Sequence, residues 1–150
     1  MQNLNQIKRT NAYQYMHHDV LHNNEKIIYA MSECSAWLAT LNLLKEESYA
    51  LKSKLSEALD NTTDKALLAE AENFHNLFIV RDEYIRDIAA DTKNHEKKLG
   101  EILSKNPTDR QWMKPQEKLR NEIAYLERDF SEMRTNFYRV FFNEQQDKKS

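Results

Sequence analysis

Apolar residues in this chain recur at alternating spacings of three and four in three long segments. In the first segment, one heptad phase runs without a slip from Tyr13 to Ala58, and only Asn23 and Ser48 are polar at its seam positions. A three-four spacing sustained over this length is typical of a helix that is buried along one face. Further apolar residues widen the seam, which predicts at least two partner helices. They are Leu21, Ile28, Met31 and Leu38.

Two later segments repeat the pattern. The second seam covers residues 67–102 and includes the polar residues Arg81, Thr92 and His95, and the third seam covers residues 119–140. Burial of a polar side chain costs free energy unless a partner satisfies it, and such residues often fix the register of a coiled coil. We therefore expect the polar seam residues to have partners inside the bundle.

Few residues interrupt these helices, since the chain has one glycine, Gly100, and two prolines, Pro107 and Pro115. The sequence DNTTD at residues 60–64 is rich in side chains that favour turns and helix N-caps. Pro107 must end the second helix, and Pro115 suits the first turn of the third. The predicted helices span about 13–59, 64–104 and 115–144.

Short connectors make neighbouring helices antiparallel. The predicted fold is therefore all-α, an elongated antiparallel three-helix bundle of coiled-coil type, in which a long hairpin of the first two helices carries a shorter third. Residues 1–12 are rich in Asn and Gln and out of phase with the first seam, so we interpret them as an N-terminal arm. Residues 145–150 form a predicted polar tail.

The helix lengths predict an uncovered end of the hairpin. At roughly 1.5 Å per residue, the three helices would measure roughly 70, 60 and 45 Å, so the third cannot cover the whole hairpin. We expect it to pack along the base and to leave residues 50–72 uncovered. This tip is either a self-sufficient two-helix end or a docking surface for a partner helix. Its candidate partner-binding residues are Leu51, Leu55, Leu67 and Leu68.

Arg81 is the one seam residue that is always charged. Folding the hairpin about residues 61 and 62 places Arg81 opposite Asn42 and near Glu46, and the third helix brings Tyr138 close. We interpret Arg81 as a candidate register lock, paired inside the bundle. The alternative is a buried cation with a functional role.

Candidate chemistry in the sequence is sparse. His18 and His22 are four residues apart and could share one ion on a helix face, while Glu72 and His75 have the acid-x-x-His spacing of di-iron bundles. Such ligands must point inward, whereas Glu72 and His75 fall beside the seam, so we interpret these histidines as solvated. Cys34 lies within the first seam and is predicted to be a small core residue. The sequence therefore predicts no catalytic, cofactor-binding or metal-binding residues.

Charge and hydropathy limit the classes of partner. The 22 basic residues nearly balance the 24 acidic ones, leaving a net charge of -2. From Arg81 to Lys98 and along the third helix the signs alternate, which is typical of solvated faces and makes a nucleic-acid partner unlikely from sequence. No apolar run resembles a signal peptide or a membrane span, so we expect a soluble cytoplasmic chain with no membrane partner.

These patterns favour a non-enzymatic helical interaction protein, such as an adaptor, an assembly factor or a small chaperone, that presents helix faces to a protein partner or to itself. The apolar residues outside the seams predict a homo-oligomer. The alternative function is a nucleic-acid-associated accessory protein whose basic surface forms only on oligomerisation. The identity of the partner does not follow from the residues.

Overall fold

The computed structural model describes the backbone of residues 4–105 and 108–143 and the side chains of residues 18–105 and 108–142. Within these ranges it contains three α-helices and no strand. The helices are α1 (Leu4–Asp60), α2 (Lys65–Lys105) and α3 (Met113–Tyr138), and a π-helical turn, Arg139–Asn143, extends α3. The predicted all-α bundle, with two long helices and a shorter third, is confirmed.

The helix boundaries follow the sequence pattern except at the start of α1. We predicted that α1 begins near residue 13 after an arm, but the helix begins at Leu4. Residues 4–12 contain no proline or glycine, so nothing in them stops a helix. Loss of the heptad phase therefore does not mark the start of the helix. Residues 1–3 and the predicted tail at 145–150 lie outside the described residues.

The turn between α1 and α2 is closed by an N-cap. Asp64 Oδ1 accepts hydrogen bonds from the backbone N–H groups of Ala66 at 2.9 Å and Leu67 at 3.4 Å. Thr62 Oγ1 in turn accepts the N–H of Asp64 at 3.2 Å. A carboxylate at this position satisfies N–H groups that have no partner within the helix, so α2 begins at Lys65 and reverses the chain.

The second connection is held against α1. The side-chain carboxylate of Asp109 accepts a hydrogen bond from the backbone N–H of Gln111 at 2.8 Å. The backbone carbonyl oxygen of Asp109 accepts one from Asn23 Nδ2 at 3.1 Å. The next residue in the connection, Trp112, is buried with Ile27 and Leu99, so it covers the base of the α1/α2 hairpin. This anchoring fixes the point at which α3 begins.

α3 runs parallel to α1 and antiparallel to α2. Successive side chains of α3 contact successive positions of α1: Arg120 pairs with Glu33, Arg134 pairs with Glu47, and Lys54 Nζ donates to Tyr138 Oη at 2.6 Å. All of these contacts lie on one side of the hairpin. α3 therefore fills one of the two grooves that the paired helices form.

Aromatic rings fix the far end of α3. Phe137 packs edge-on against Phe74 and Phe78, with ring centroids 5.5 and 5.8 Å away. Phe141, in the π-helical turn, lies 5.7 Å from Phe74. Edge-to-face pairs of buried rings add to the free energy gained by removing their area from water. This cluster holds α3 beside the end of the hairpin.

The prediction that residues 50–72 stay uncovered therefore needs correction at the end of this segment nearest the base. α3 reaches Lys54 on α1 and Phe74 on α2, and Leu51 and Leu55 are buried in the main core. Two features explain the difference. Gln116 at the start of α3 lies level with Ala30 and Glu33, already some way along the hairpin, and the π-helical turn adds length at the other end.

Arg81 has a partner inside the bundle, but the partner is Asp129 and not Asn42, Glu46 or Tyr138, which the sequence placed near it. Its Nη2 donates to Asp129 Oδ1 of α3 at 3.1 Å, and its Nε lies 2.8 Å from Oδ2. Only 15% of the Arg81 side chain is exposed. Arg81 therefore ties α2 to α3, whereas Asn42 donates to Glu46 within α1.

The predicted register of α1 against α2 was wrong, which explains the change of partner. Ser48 Oγ donates to Asp82 Oδ1 at 2.7 Å, whereas a fold centred on residues 61 and 62 places Ser48 opposite His75. The pairing of α2 with α1 is therefore shifted by seven residues, about two helical turns. Part of this shift follows from the Asp64 cap, which starts α2 only at Lys65. The role of Arg81 as a register lock stays a prediction.

Removing Arg81 tests that role. Arg81→Ala should lower the free energy of unfolding by about 2 kcal/mol, because it leaves Asp129 unpaired and removes a packed side chain. The double variant Arg81→Met/Asp129→Leu should regain most of this loss, since neither charge then remains. Chemical denaturation measures both. Arg128→Ala is the matched control on an exposed residue, expected within about 0.5 kcal/mol of the parent. Equal losses at Arg81 and Arg128 would contradict an interior lock.

Candidate functional site

The main candidate site is the groove of the α1/α2 hairpin that α3 does not fill. On α1, the residues that contact α3 lie on one flank, at Glu33 and Glu47, and the residues that line this second groove lie on the opposite flank. On α2, likewise, Arg81 faces α3, whereas Arg86 and Lys93 line the second groove. We call this second groove the open groove.

The open groove has an apolar floor and a volume of about 570 Å³. Its length from Leu38 to Lys52 corresponds to about 21 Å, at about 1.5 Å per residue. Leu41 and Ile85 are buried beneath it, and Ala90 is exposed on it. The residues that line it are Leu38, Leu41, Asn42, Lys45, Tyr49 and Lys52 of α1 and Asp82, Ile85, Arg86, Ala89, Ala90 and Lys93 of α2.

Four cations and a single carboxylate line the open groove. Lys45 and Lys52 are seven residues apart on α1, and Arg86 and Lys93 are seven apart on α2. Residues seven apart in a coiled coil share a helix face, so each pair forms a row along one rim. A cleft with one sign of charge and apolar walls concentrates its field, even though the whole chain carries a net charge of -2.

The one carboxylate of the open groove is already engaged. Asp82 accepts a hydrogen bond from Ser48 and forms an ion pair with Lys52. Ser48 is fully buried, and this hydrogen bond satisfies its hydroxyl. Asp82 therefore holds the register of the hairpin and neutralises one cation, while Lys45, Arg86 and Lys93 form no ion pair with the side chains that the structure describes.

A different groove, at the base of the bundle, lies between α1 and α3 above a buried polar cluster centred on Gln116. The side-chain amide of Gln116 donates to the carbonyl oxygen of Ala30 at 3.2 Å and to Glu33 Oε1 at 3.2 Å. Its Oε1 lies 2.7 Å from His95 Nε2, which must act as the donor, and 3.9 Å from Cys34 Sγ. One amide thus links all three helices.

The pKa shifts in this cluster indicate a structural role and not a reactive one. Burial raises the pKa of the Cys34 thiol to about 11, so the thiol stays protonated at neutral pH and is a poor nucleophile. Burial also lowers the pKa of His95, which keeps its ring neutral and bonded to Gln116. Arg120, hydrogen-bonded to Glu33, lowers the pKa of that carboxyl. This cluster joins the helices and contains no activated nucleophile.

The histidines considered as ligands lie apart from these grooves or at their edge. His18 and His22 stack with ring centroids 6.3 Å apart on α1, and His75 is exposed on α2. Within the side chains that the structure describes, no group of three or more His, Cys, Asp or Glu residues could hold a metal ion.

The four leucines predicted as partner anchors have different environments. Leu51 and Leu55 are 2% and 3% exposed and belong to the main core, so they are not on the surface that the docking hypothesis requires. Leu67 is half-buried, and Leu68 is 42% exposed. A partner-binding role for Leu67 and Leu68 stays a prediction.

Of the four cations of the open groove, Arg86 and Lys93 lie in the stretch from Arg81 to Lys98 that we interpreted as a solvated face, and Lys45 and Lys52 were not singled out in the sequence. Charges of both signs alternate along each helix, so the net charge of a stretch of sequence is close to zero. Two signals were present: Lys45 and Lys52, and Arg86 and Lys93, each repeat at seven residues on a flank of their seam. Only the register between the helices shows that these two rows face the same groove.

Comparison with known proteins identifies no family for this chain. No protein-family model matches it. No curated protein and no solved structure is significantly similar to it. The class of protein is therefore defined by architecture alone, as a three-helix bundle in which α3 fills one groove of the hairpin.

One segment of α1 is apolar enough to cross a membrane by length and composition. It is the part from His18 to Asp60, with a mean hydropathy of 1.2 in its most apolar window. The core helix of a soluble bundle passes the same test, and Ile27, Cys34 and Leu41 of this segment are buried in the core. A cytoplasmic location and the lack of a membrane partner stay predictions.

The Glu33–Arg120 pair predicts a specific acid sensitivity. Because the folded-state pKa of Glu33 is lowered, its contribution to stability is present above the unfolded pKa, near the ordinary value of 4.5, and is lost as the pH falls through the folded pKa. Glu33→Gln should therefore destabilise the protein by about 0.5 to 1 kcal/mol at pH 7 and by less at pH 3.

Urea unfolding at the two pH values measures this difference. Glu127→Gln, on an exposed carboxylate of α3, is the matched control and should have little effect at either pH. A loss at Glu33 that does not change between pH 7 and pH 3 would show that the ion pair does not contribute through its charge.

Proposed function

We propose that this chain is a non-enzymatic helical interaction protein that binds a helix of a partner protein in the open groove. The observation that carries the proposal is the one-sided packing of the hairpin, since α3 occupies one groove and leaves the other lined by Leu38, Ala89 and Ala90. An amphipathic helix that lies in an apolar groove is a recurring mode of protein recognition. An adaptor, an assembly factor or a small chaperone could each use such a groove.

The dimensions of the open groove suit this mode. Its length of about 21 Å is that of a helix of about two heptads. Ala89 and Ala90 are small, so a partner helix can approach α2 closely, while Leu38 and Tyr49 offer larger contact surfaces on α1. A fourth helix here would complete a four-helix arrangement and bury the exposed floor.

Self-association is a further part of the proposal. Leu21 and Ile28 are 50% and 57% exposed and seven residues apart on one face of α1, and Phe142 is partly exposed at the other end of the bundle. Exposed apolar rows of this kind favour oligomers. Phe141, next to Phe142, is buried against Phe74 and does not add to this exposed surface.

A nucleic-acid-associated role is the second candidate, and the four cations of the open groove are the observation that favours it. Cations on both rims could contact phosphates. The apolar floor between the rims argues for the protein partner, because contacts to a phosphate backbone do not require buried leucine and alanine surface. We therefore rank helix docking first.

Site-specific photo-crosslinking in cells of the native host tests docking without assuming a partner. A photo-reactive residue at Ala90, on the open groove, should give a discrete protein crosslink, and peptide mapping should place it in a helical segment of the partner. The same residue at Ala124, exposed on α3, is the matched control and should give none.

Two results would contradict the proposal. Equal crosslinks at Ala90 and Ala124 would show that the open groove is not a preferred surface. Crosslinks from Ala90 to nucleic acid alone would favour the second candidate function.

A further inference from the structure

The cations of the open groove form two parallel rows. Lys45 and Lys52 stand on the α1 rim and Arg86 and Lys93 on the α2 rim, with about 10.5 Å between the members of each row at about 1.5 Å per residue. This is the spacing of one heptad. In coiled coils, charged residues that flank an apolar seam at this interval set the choice and orientation of the partner helix.

These rows are largely uncompensated by the chain itself. Among the described side chains, Asp82 is the one acidic residue that lines the open groove, and it pairs with Lys52. Lys45, Arg86 and Lys93 form no ion pair there. The other surface carboxylates with partners, such as Glu33 and Glu47, face α3 on the opposite side of the hairpin.

We infer that the open groove is specific for an acidic amphipathic helix, one with apolar residues on the face toward Ala89 and Ala90 and with Glu or Asp repeating at seven residues on both flanks. This inference rests on the proposed docking function and adds the chemistry of the partner. A basic helix would place like charges along both rims, and such repulsion excludes wrong partners. The apolar floor selects a helix over a nucleic acid.

The exposed apolar row formed by Leu21 and Ile28 does not match that description. Leu21 and Ile28 are flanked on α1 by Glu25 and Lys26, which carry opposite charges. A second copy docking through this row would therefore gain little from the two rows of cations. The charge pattern points to a different chain as the occupant.

Binding of three synthetic peptides to the full chain tests the inference. Each peptide has three heptads with Leu at positions a and d, and positions e and g carry Glu, Gln or Lys; a labelled single-stranded DNA is the fourth probe. Fluorescence anisotropy should give a Kd for the Glu peptide at least about tenfold below that of the Lys peptide, with Gln between them. Raising the salt from about 0.05 to 0.3 M should weaken the Glu peptide most.

Charge reversal of the rims separates specificity from loss of folding. In Lys45→Glu/Lys93→Glu, one cation on each rim is reversed, and the order of affinity should invert so that the Lys peptide binds more tightly. An unfolded variant would lose all binding instead of inverting it. Lys65→Glu/Arg128→Glu changes the net charge equally at exposed positions outside the groove and should keep the original order.

Several outcomes would overturn the inference. Equal Kd values for the Glu and Gln peptides would remove the acidic preference but leave helix docking in place. Inversion in the Lys65/Arg128 variant as well would show non-specific attraction to the whole chain. Tighter binding of the DNA than of the Glu peptide, or binding of no peptide, would also overturn it. The crosslink from Ala90 tests helix docking separately, because it does not depend on the charge of the partner.

Discussion

The packing of Phe137 against Phe74 and Phe78 decides how the rest of the molecule is arranged. Two long antiparallel helices offer two equivalent grooves, and a third helix can fill only one. The aromatic cluster holds the end of α3 on one side of the hairpin, and Trp112 holds its start. The filled groove becomes the core, and the opposite groove stays accessible as a consequence.

Buried polar residues then fix the positions of the helices along one another. Apolar heptads alone allow a helix to slide by one repeat, because every repeat offers the same surface. Gln116 accepts from His95 and donates to Ala30, which defines one axial position for all three helices at the base. Ser48 and Asp82 define the position of α2 on α1 further along. A shift of one helix by one heptad repeat would break each of these contacts.

That register is also what creates the candidate site. Lys45 and Lys52 belong to one helix and Arg86 and Lys93 to another, and they face one groove only in the observed alignment. The same contact between Ser48 and Asp82 that fixes the alignment also engages the one acidic residue of the open groove. The contact that fixes the alignment and the rows of cations thus lie on one surface.

The sequence predicted the parts of this fold that depend on local periodicity. The seams, the turn at 60–64 and the ends of α2 and α3 follow from spacing, capping residues and proline, and they agree with the structure within a few residues. The axial shift of α2, the carboxylate partner of Arg81 and the convergence of the cations depend on contacts between helices. Heptad spacing identifies which face is buried but contains no information on axial position, so these features required the structure.

The same distinction explains the other two differences. A helix can continue through residues 4–12 without a packing face, so the loss of phase did not mark its start. Leu51 and Leu55 are buried in the main core, and α3 reaches this end of the hairpin at Lys54 and Phe74. Both outcomes depend on which elements lie nearby in space.

If α3 fills only one groove, the open groove is accessible in the folded protein in solution. Thiol labelling of Ala90→Cys in a Cys34→Ala background tests this, with Ala124→Cys in the same background as the exposed reference and Cys34 of the parent protein as the buried one. We expect Ala90→Cys to react as fast as Ala124→Cys, whereas Cys34, buried and with a pKa raised to about 11, reacts only on unfolding. Protection of Ala90→Cys to the level of Cys34, at every protein concentration, would contradict it.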